Sequence, residues 1–268
     1  MIRDITIGQY YSTDSLIHRL DPRVKLVGTL CYIISLFLIN NWPGYIIATA
    51  FLFMVIAFSR VPVKFMVRGL RAIVLLLIIA GVVNLFFTPG EELWAWKKLS
   101  ITKEGITMAS TMVLRLIFLI MGSSIMTLTT TPNNLTDGLE KGLSFLKIFK
   151  APVHEMAMMM SIALRFIPIL LEETDKIMKA QIARGADFES KNLIKKAKAL
   201  VPLLVPLFVS AFRRANDLAL AMEARCYRGG DGRTKMKPLI YKKADAAAYL
   251  VILLYMIVCI YFGRIFKF

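Results

Sequence analysis

The sequence predicts an all-α, polytopic membrane protein with about five transmembrane helices and a set of long amphipathic helices on its cytoplasmic side. Two observations carry that reading. Of 268 residues, 57% are hydrophobic and the mean hydropathy is +0.62, too apolar for a soluble domain of this length. Charge is also confined to blocks between long uncharged runs, the pattern that membrane topology imposes. The net charge of +16 belongs to those blocks, which excludes nucleic acid as the expected partner and makes membrane lipid the expected surroundings.

The elements follow in order. Met1 to Lys25 is polar and carries both signs of charge, so it does not read as a cleaved signal peptide. Leu26 to Ser59 holds no Asp, Glu, Lys or Arg and is broken by Asn40, Asn41, Pro43 and Gly44, which predicts a helical hairpin of two spans. A basic loop with Arg60, Lys64, Arg68 and Arg71 leads to a third span over Ala72 to Gly90. The nearly neutral segment Glu91 to Glu104 carries Trp94 and Trp96, residues suited to an outer interfacial belt. A fourth span runs from Ile106 to Thr130, and Thr131 with Pro132 supplies an N-cap and first-turn proline for the next helix.

From Lys141 to Lys243 there are twenty Lys or Arg against nine Asp or Glu, and no apolar run exceeds Ala199 to Phe212, so this third of the chain is expected on or below the membrane. Its first helix sets Leu135, Leu139, Leu143 and Leu146 on one face. Further helices are expected over Glu155 to Ala183, Leu193 to Phe212 and Arg213 to Arg225, with Pro168, Pro202 and Pro206 as bends or starts. Ala246 to Gly263 makes the fifth span. Three parts result: 1–131 with four spans, 132–245 as a cytoplasmic or interfacial helical module, and 246–268 with the last span. The positive-inside rule puts the N-terminus and the basic block in the cytoplasm and the C-terminus outside, with Arg264 and Lys267 a small exception.

Autonomous chemistry is not legible. No GxxxxGK[ST] phosphate loop is present, and the spans contain no Asp or Glu to bind a driving ion. The intramembrane Arg115 either snorkels toward the outer interface or lines a contact with another protein, and Asn84 is equally ambiguous. His18 and His154 are the only histidines, and Cys31, Cys226 and Cys259 are far apart, which gives a metal or catalytic centre little to build on. Met156, Met158, Met159 and Met160 read either as an adaptable partner surface or as lipid-facing filling. A membrane protein without an energy source of its own borrows energy from a partner.

The sharpest signal is an internal repeat, A-x-x-A-R-small, at Ala180, Ala183, Arg184 and Gly185 and again at Ala221, Ala224, Arg225 and Cys226. Each arginine is expected at a helix C-terminus, where the helix dipole favours a cation, with Gly185 terminating the first helix and Gly229 with Gly230 following shortly after the second. The alanines four residues before it allow a close approach to a groove, and guanidinium can grip a carboxylate at two points. Two matched elements suit a partner with two equivalent grooves.

At these residues the chain resembles the T component of energy-coupling factor importers, the family that includes the permease of cobalt and nickel importers. The resemblance rests on Gly8, Gln9 and Tyr10 with the run Asp14 to Lys25, on the five-span layout, and on the two X-R-X signatures, where Cys226 replaces a second Gly. It implies a non-catalytic scaffold in a prokaryotic cell membrane. Ala183, Arg184, Gly185, Ala224, Arg225 and Cys226 would dock two ABC-type ATPases of the EcfA and EcfA′ kind, supported by Ala180 and Ala221. The chain would also hold a substrate-binding S component for vitamin or metal-ion uptake, with ATP and Mg bound by the ATPases and no cofactor of its own. The other reading open to the sequence is an autonomous channel or carrier whose basic block is regulatory.

Overall fold

The computed structural model describes residues 10–39, 41–71, 73–96, 99–149, 151–186, 188, 193–229, 236 and 238–265; the side chains of 92–101, 146–147, 193–197 and 264–265 are outside that description. Within these residues the chain forms two compact units, one of 10–141 with 239–265 and the other of 142–238.

The first unit opens with α1 (Pro22–Leu38), whose N-cap Asp21 accepts from the Arg23 amide at 2.9 Å and whose first turn begins on Pro22. A short extended link reaches Asn41, which caps α2 (Trp42–Ser59) through the Gly44 amide at 3.1 Å. The expected pair of helices is therefore present, each started by a polar cap followed by proline, though only α2 is long enough to count as a span. Beyond Arg60, held left-handed at φ +53°, the expected basic loop is instead a helix, α3 (Val63–Arg71). Met66 is the reason: it is fully buried and pins the helix to the unit's core while the lysine and arginines stay outside.

The third apolar run forms α4 (Val74–Phe87), which packs along α5 (Lys103–Thr129). Between them β1 (Glu92–Trp96) and β2 (Leu99–Thr102) pair antiparallel, the one departure from an all-α fold among the described residues. The side chains of Trp94 and Trp96 lie outside the described ones. Thr102 caps α5 through the Gly105 amide at 2.9 Å. Thr131 then caps α6 (Pro132–Gly142) through the Asn134 amide at 3.3 Å, as its position before Pro132 predicts. α6 stops at Gly142, so Leu143 and Leu146 do not continue its Leu135–Leu139 face; a 3-10 turn follows at Ser144–Phe149.

The last helix of this unit is α9 (Lys243–Ile265), packed on α1 and α2. The core lies among α1, α2, α5 and α9, with Leu36, Ala48 and Cys259 almost wholly enclosed and the Phe51 and Tyr255 rings stacked at 4.0 Å. Gly122 permits the closest approach there. A Cβ at that position would stand 2.4 Å from the Tyr32 ring.

The second unit is built on α7 (Val153–Ala183) and α8 (Leu193–Ala224). The two helices expected over 193–225 are one. Residues 202 and 206 are prolines, yet the helix runs through them, because what Pro206 takes away is replaced from outside. Lacking an N–H, Pro206 leaves the Pro202 carbonyl without its helical donor, and Gln181 Nε2 on α7 donates to that oxygen at 3.4 Å. Eight residues back along α7, Glu173 pairs with Arg214 at 2.9 Å. The order of these contacts makes the helices antiparallel.

By length and composition α2, α5, α7, α8 and α9 can each cross a membrane, and α3 with α4 form a sixth, bent candidate. This list differs from the five runs expected. α1 and α4 have 17 and 14 residues. α7 and α8 qualify although the interval 141–243 was expected to hold no spanning stretch: Glu155 and Arg165 interrupt the apolar run of α7 without making its composition polar.

Candidate docking site

The repeated arginine segments lie in the second unit, one at the C-terminus of each long helix. Ala180 and Ala183 occupy the last turn of α7, Arg184 caps it, and Gly185 follows with φ +88°. The Gly185 amide donates to the Ile182 carbonyl at 2.9 Å and the Ala186 amide to the Gln181 carbonyl at 3.0 Å. α8 ends in the same way. Ala221 and Ala224 close its last turn, Arg225 occupies the cap, and Cys226 follows with φ +56°. The Cys226 amide donates to Glu223 at 2.9 Å and the Tyr227 amide to Met222 at 3.0 Å. Both ends are therefore Schellman motifs, with the arginine at the same place in each.

Matched sequence has thus produced matched backbone, and with a residue that resists it. Glycine enters the left-handed region freely, whereas an L-residue such as Cys226 does so at about 1 kcal/mol. Cys226 is the left-handed residue that ends the second helix; Gly229 follows three residues later at φ +94°, and Gly230 lies outside the described residues.

All eight residues, Ala180, Ala183, Arg184, Gly185, Ala221, Ala224, Arg225 and Cys226, are exposed. The last carbonyls of each helix put partial negative charge beside each guanidinium, which orients the cation without neutralising it. Antiparallel packing separates the two caps. Gln181 sits level with Pro202, and at 1.5 Å per residue Arg225 lies roughly 35 Å farther along α8. The arrangement offers two equivalent cationic knobs, each flanked by alanines, at opposite ends of a helix pair. Beside them, α8 exposes Leu204, Phe208 and Phe212, and α7 exposes Met156, Met159 and Met160 with Met158 half-buried.

The other singled-out residues have structural work. Arg115 Nε donates to the Tyr45 hydroxyl at 3.2 Å and Nη2 to the Ile39 carbonyl at 3.0 Å, so it ties α5 to the link between α1 and α2. Asn84 Nδ2 returns to the Ala80 carbonyl of its own helix at 2.8 Å. His18 Nε2 donates to the Tyr11 carbonyl at 3.0 Å, leaving Nδ1 to accept from the Ser15 hydroxyl at 2.7 Å. Burial pushes the His18 pKa below the ordinary imidazole value, outweighing its hydrogen bonds to backbone. Among the described residues no three His, Cys, Asp or Glu approach closely enough to hold a metal ion.

Sequence reasoning missed one polar centre. Asp245, 2% exposed, accepts from the Lys242 amide at 2.7 Å, capping its own helix, and from the Asp21 amide at 2.8 Å, at the start of α1. Asp21 in turn pairs with Arg23 at 2.8 Å, and the Arg23 guanidinium lies 3.7 Å over the Tyr241 ring. First and last membrane helices are fastened here across 224 positions of sequence. Only the D-P-R run of Asp21, Pro22 and Arg23 hinted at it.

Comparison with known proteins agrees with this architecture. Residues 13–236 match the CbiQ family, described as cobalt transport protein. The chain is 56% identical over 262 residues to the energy-coupling factor transporter transmembrane protein EcfT of Clostridium kluyveri, covering 97% of this chain and 96% of that one. It is 54% identical over 245 residues to the protein of the same name from Ruminiclostridium cellulolyticum, covering 91% and 92%, and 44% identical over 265 residues to that of Bacillus subtilis, covering 98% and 100%. A multi-pass chain with two matched arginine caps, alike to these relatives from end to end, belongs to the CbiQ family as a transmembrane component of the energy-coupling factor transporters.

Proposed function

We propose that this chain is the non-catalytic coupling scaffold of an importer: α7 and α8 each offer one arginine cap to one of two ABC-type ATPases, and the chain passes their motion to a separate substrate-binding S component. The single observation that carries the reading is the duplicated cap, two exposed arginines in the same Schellman geometry on antiparallel helices. A pair of equivalent knobs matches a partner that presents two equivalent grooves, as a dimer of nucleotide-binding domains does. ATP and Mg belong to those partners, the N-terminus and both arginine caps face the cytoplasm because the antiparallel α7 and α8 lie along the membrane surface and do not cross it, and the transported vitamin or metal ion is chosen by the S component.

Affinity purification from native membranes in mild detergent, with mass spectrometry of the bound proteins, tests this. Two ATPase chains and one small hydrophobic subunit are expected in stoichiometric amounts, and the R184A/R225A variant should lose the ATPases. A chain that emerges alone and transports in liposomes sinks the scaffold reading in favour of an autonomous carrier.

A further inference from the structure

The first unit carries a cleft that neither the arginine caps nor the coupling role uses. It has a volume of about 500 Å³ and lies among α1, α2, α5 and α9, with a nearly all-apolar wall. Its polar lining residues gather at one end, where Lys25 and Thr129 face the N-terminal segment. From there it descends along the helices to the level of Tyr32 and Phe51, seven residues or about 10 Å deeper on each. That is two-thirds of the roughly 15 Å of one hydrocarbon leaflet. Room comes from α9, which presents only Ala244, Ala247 and Ala248 along the upper half of the wall.

At the polar end a second hollow adjoins the first and shares Leu16 and Phe58 with it. Asp14, Ser15, Arg19 and Arg60 line it. Asp14 and Arg19 are joined to each other through two hydrogen bonds, so their charges cancel. Arg60 makes no ion pair or hydrogen bond among the described residues, and its left-handed backbone, at the end of α2, fixes where the side chain leaves. The hollow therefore carries one uncompensated positive charge, directly above an apolar slot that runs parallel to the helices.

We infer that this composite cleft is a binding site for an anionic phospholipid, with one acyl chain in the slot and the phosphate at Arg60. The shape decides against a soluble ligand. An apolar slot reaching two-thirds of the way through a leaflet, with Lys25 at its mouth and Arg60 above it at the helix ends, repeats the order of groups in a lipid from tail to headgroup. Lys64, one turn beyond Arg60 on the exposed side of α3, extends the same positive edge and adds to the preference for a negative headgroup.

The test is native mass spectrometry of the complex this chain forms in its own membrane, released from mixed micelles containing either phosphatidylglycerol or phosphatidylcholine with the same acyl chains. The unaltered complex should retain one phosphatidylglycerol, and about fivefold less phosphatidylcholine, from the loss of one cation–headgroup attraction. R60Q should bring phosphatidylglycerol down to the phosphatidylcholine level, and as a change at an exposed residue it leaves the fold intact. A248F, which fills the slot from α9, should reduce retention of both lipids by about tenfold as buried methylenes are displaced. M126W fills it from α5 and should act alike if A248F fails to assemble. Equal retention of the two lipids by the unaltered complex, or undiminished retention when the slot is filled, overturns the proposal.

Discussion

The two units of this chain solve opposite problems with the same material. The first encloses its chemistry: Tyr32, Leu36, Met66 and Cys259 are buried, and Asp21, Asn41, Thr102, Thr131 and Asp245 close its helix ends from within. The second encloses almost nothing. Among its described apolar residues only Val153, Ala157 and Leu203 are buried, while Phe208 and Phe212 keep 62% and 68% of their surface. Among the described residues its long helices are joined by the Glu173–Arg214 ion pair, a hydrogen bond between Ser210 and Glu173 and the rescued carbonyl of Pro202. The contrast teaches that the first unit carries a core of its own, although α4 leaves Leu75 and Phe87 bare, whereas the second has almost none and leaves the faces of α7 and α8 to lipid or other chains.

The contrast can be broken most forcefully at the arginines. Each is exposed, so R184A and R225A should leave the thermal unfolding of the purified chain within about 0.5 kcal/mol. Association with the ATPases should nonetheless weaken by about 2 kcal/mol, or roughly thirtyfold, per site. Titration of the detergent-solubilised partners reads this directly, and an equal loss of stability would place the arginines in the fold instead.

At Asp245 the opposite is expected. D245A removes a carboxylate that satisfies the buried Asp21 amide and the half-buried Lys242 amide, at a cost of about 2 kcal/mol. Reduced thermal stability and faster hydrogen exchange at Asp21 and Lys242 would show it, with ATPase binding per folded chain unchanged.

A smaller effect sharpens the symmetry of the caps. C226G relieves a left-handed L-residue and should stabilise the end of α8 by about 1 kcal/mol, seen as slower exchange of the Cys226 and Tyr227 amides. G185A should cost a similar amount at α7.

The smallest concerns pH. The folded His18 pKa lies below that of the unfolded chain, about 6.5, so the neutral ring contributes stability that is complete above that value and lost as pH falls through the depressed folded pKa. Acidification should therefore loosen residues 10–20 first, detectable as faster proteolysis there, and H18Q should flatten the dependence.

What the sequence could reveal divides along a physical line. The helices of 26–59 and the span at 246–263 were legible because a run without charges has one stable environment, and the α6 start was legible because Thr131 before Pro132 is a local signal. α3 was not, since its three basic residues, Lys64, Arg68 and Arg71, masked the one buried residue, Met66, that decides its structure. α8 was divided in two at Phe212 because the apolar run stops at Arg213 and Arg214, and the Glu173 that pairs with Arg214 comes from another helix. Of the two caps, Gly185 announced itself, but nothing marks a cysteine as left-handed. Asp245 was invisible because its partner is 224 residues away.

That same distance has a temporal meaning. Asp245 leaves the ribosome 224 residues after Asp21, so the amide at the start of α1 waits through all of that synthesis for the carboxylate that satisfies it. Until then the opening helices are inserted but not locked. A product truncated before residue 245 can place its hydrophobic segments in the bilayer and still present an unfinished seam to the proteases that patrol the membrane. The buried carboxylate thus works as a completion mark, read by the fold itself.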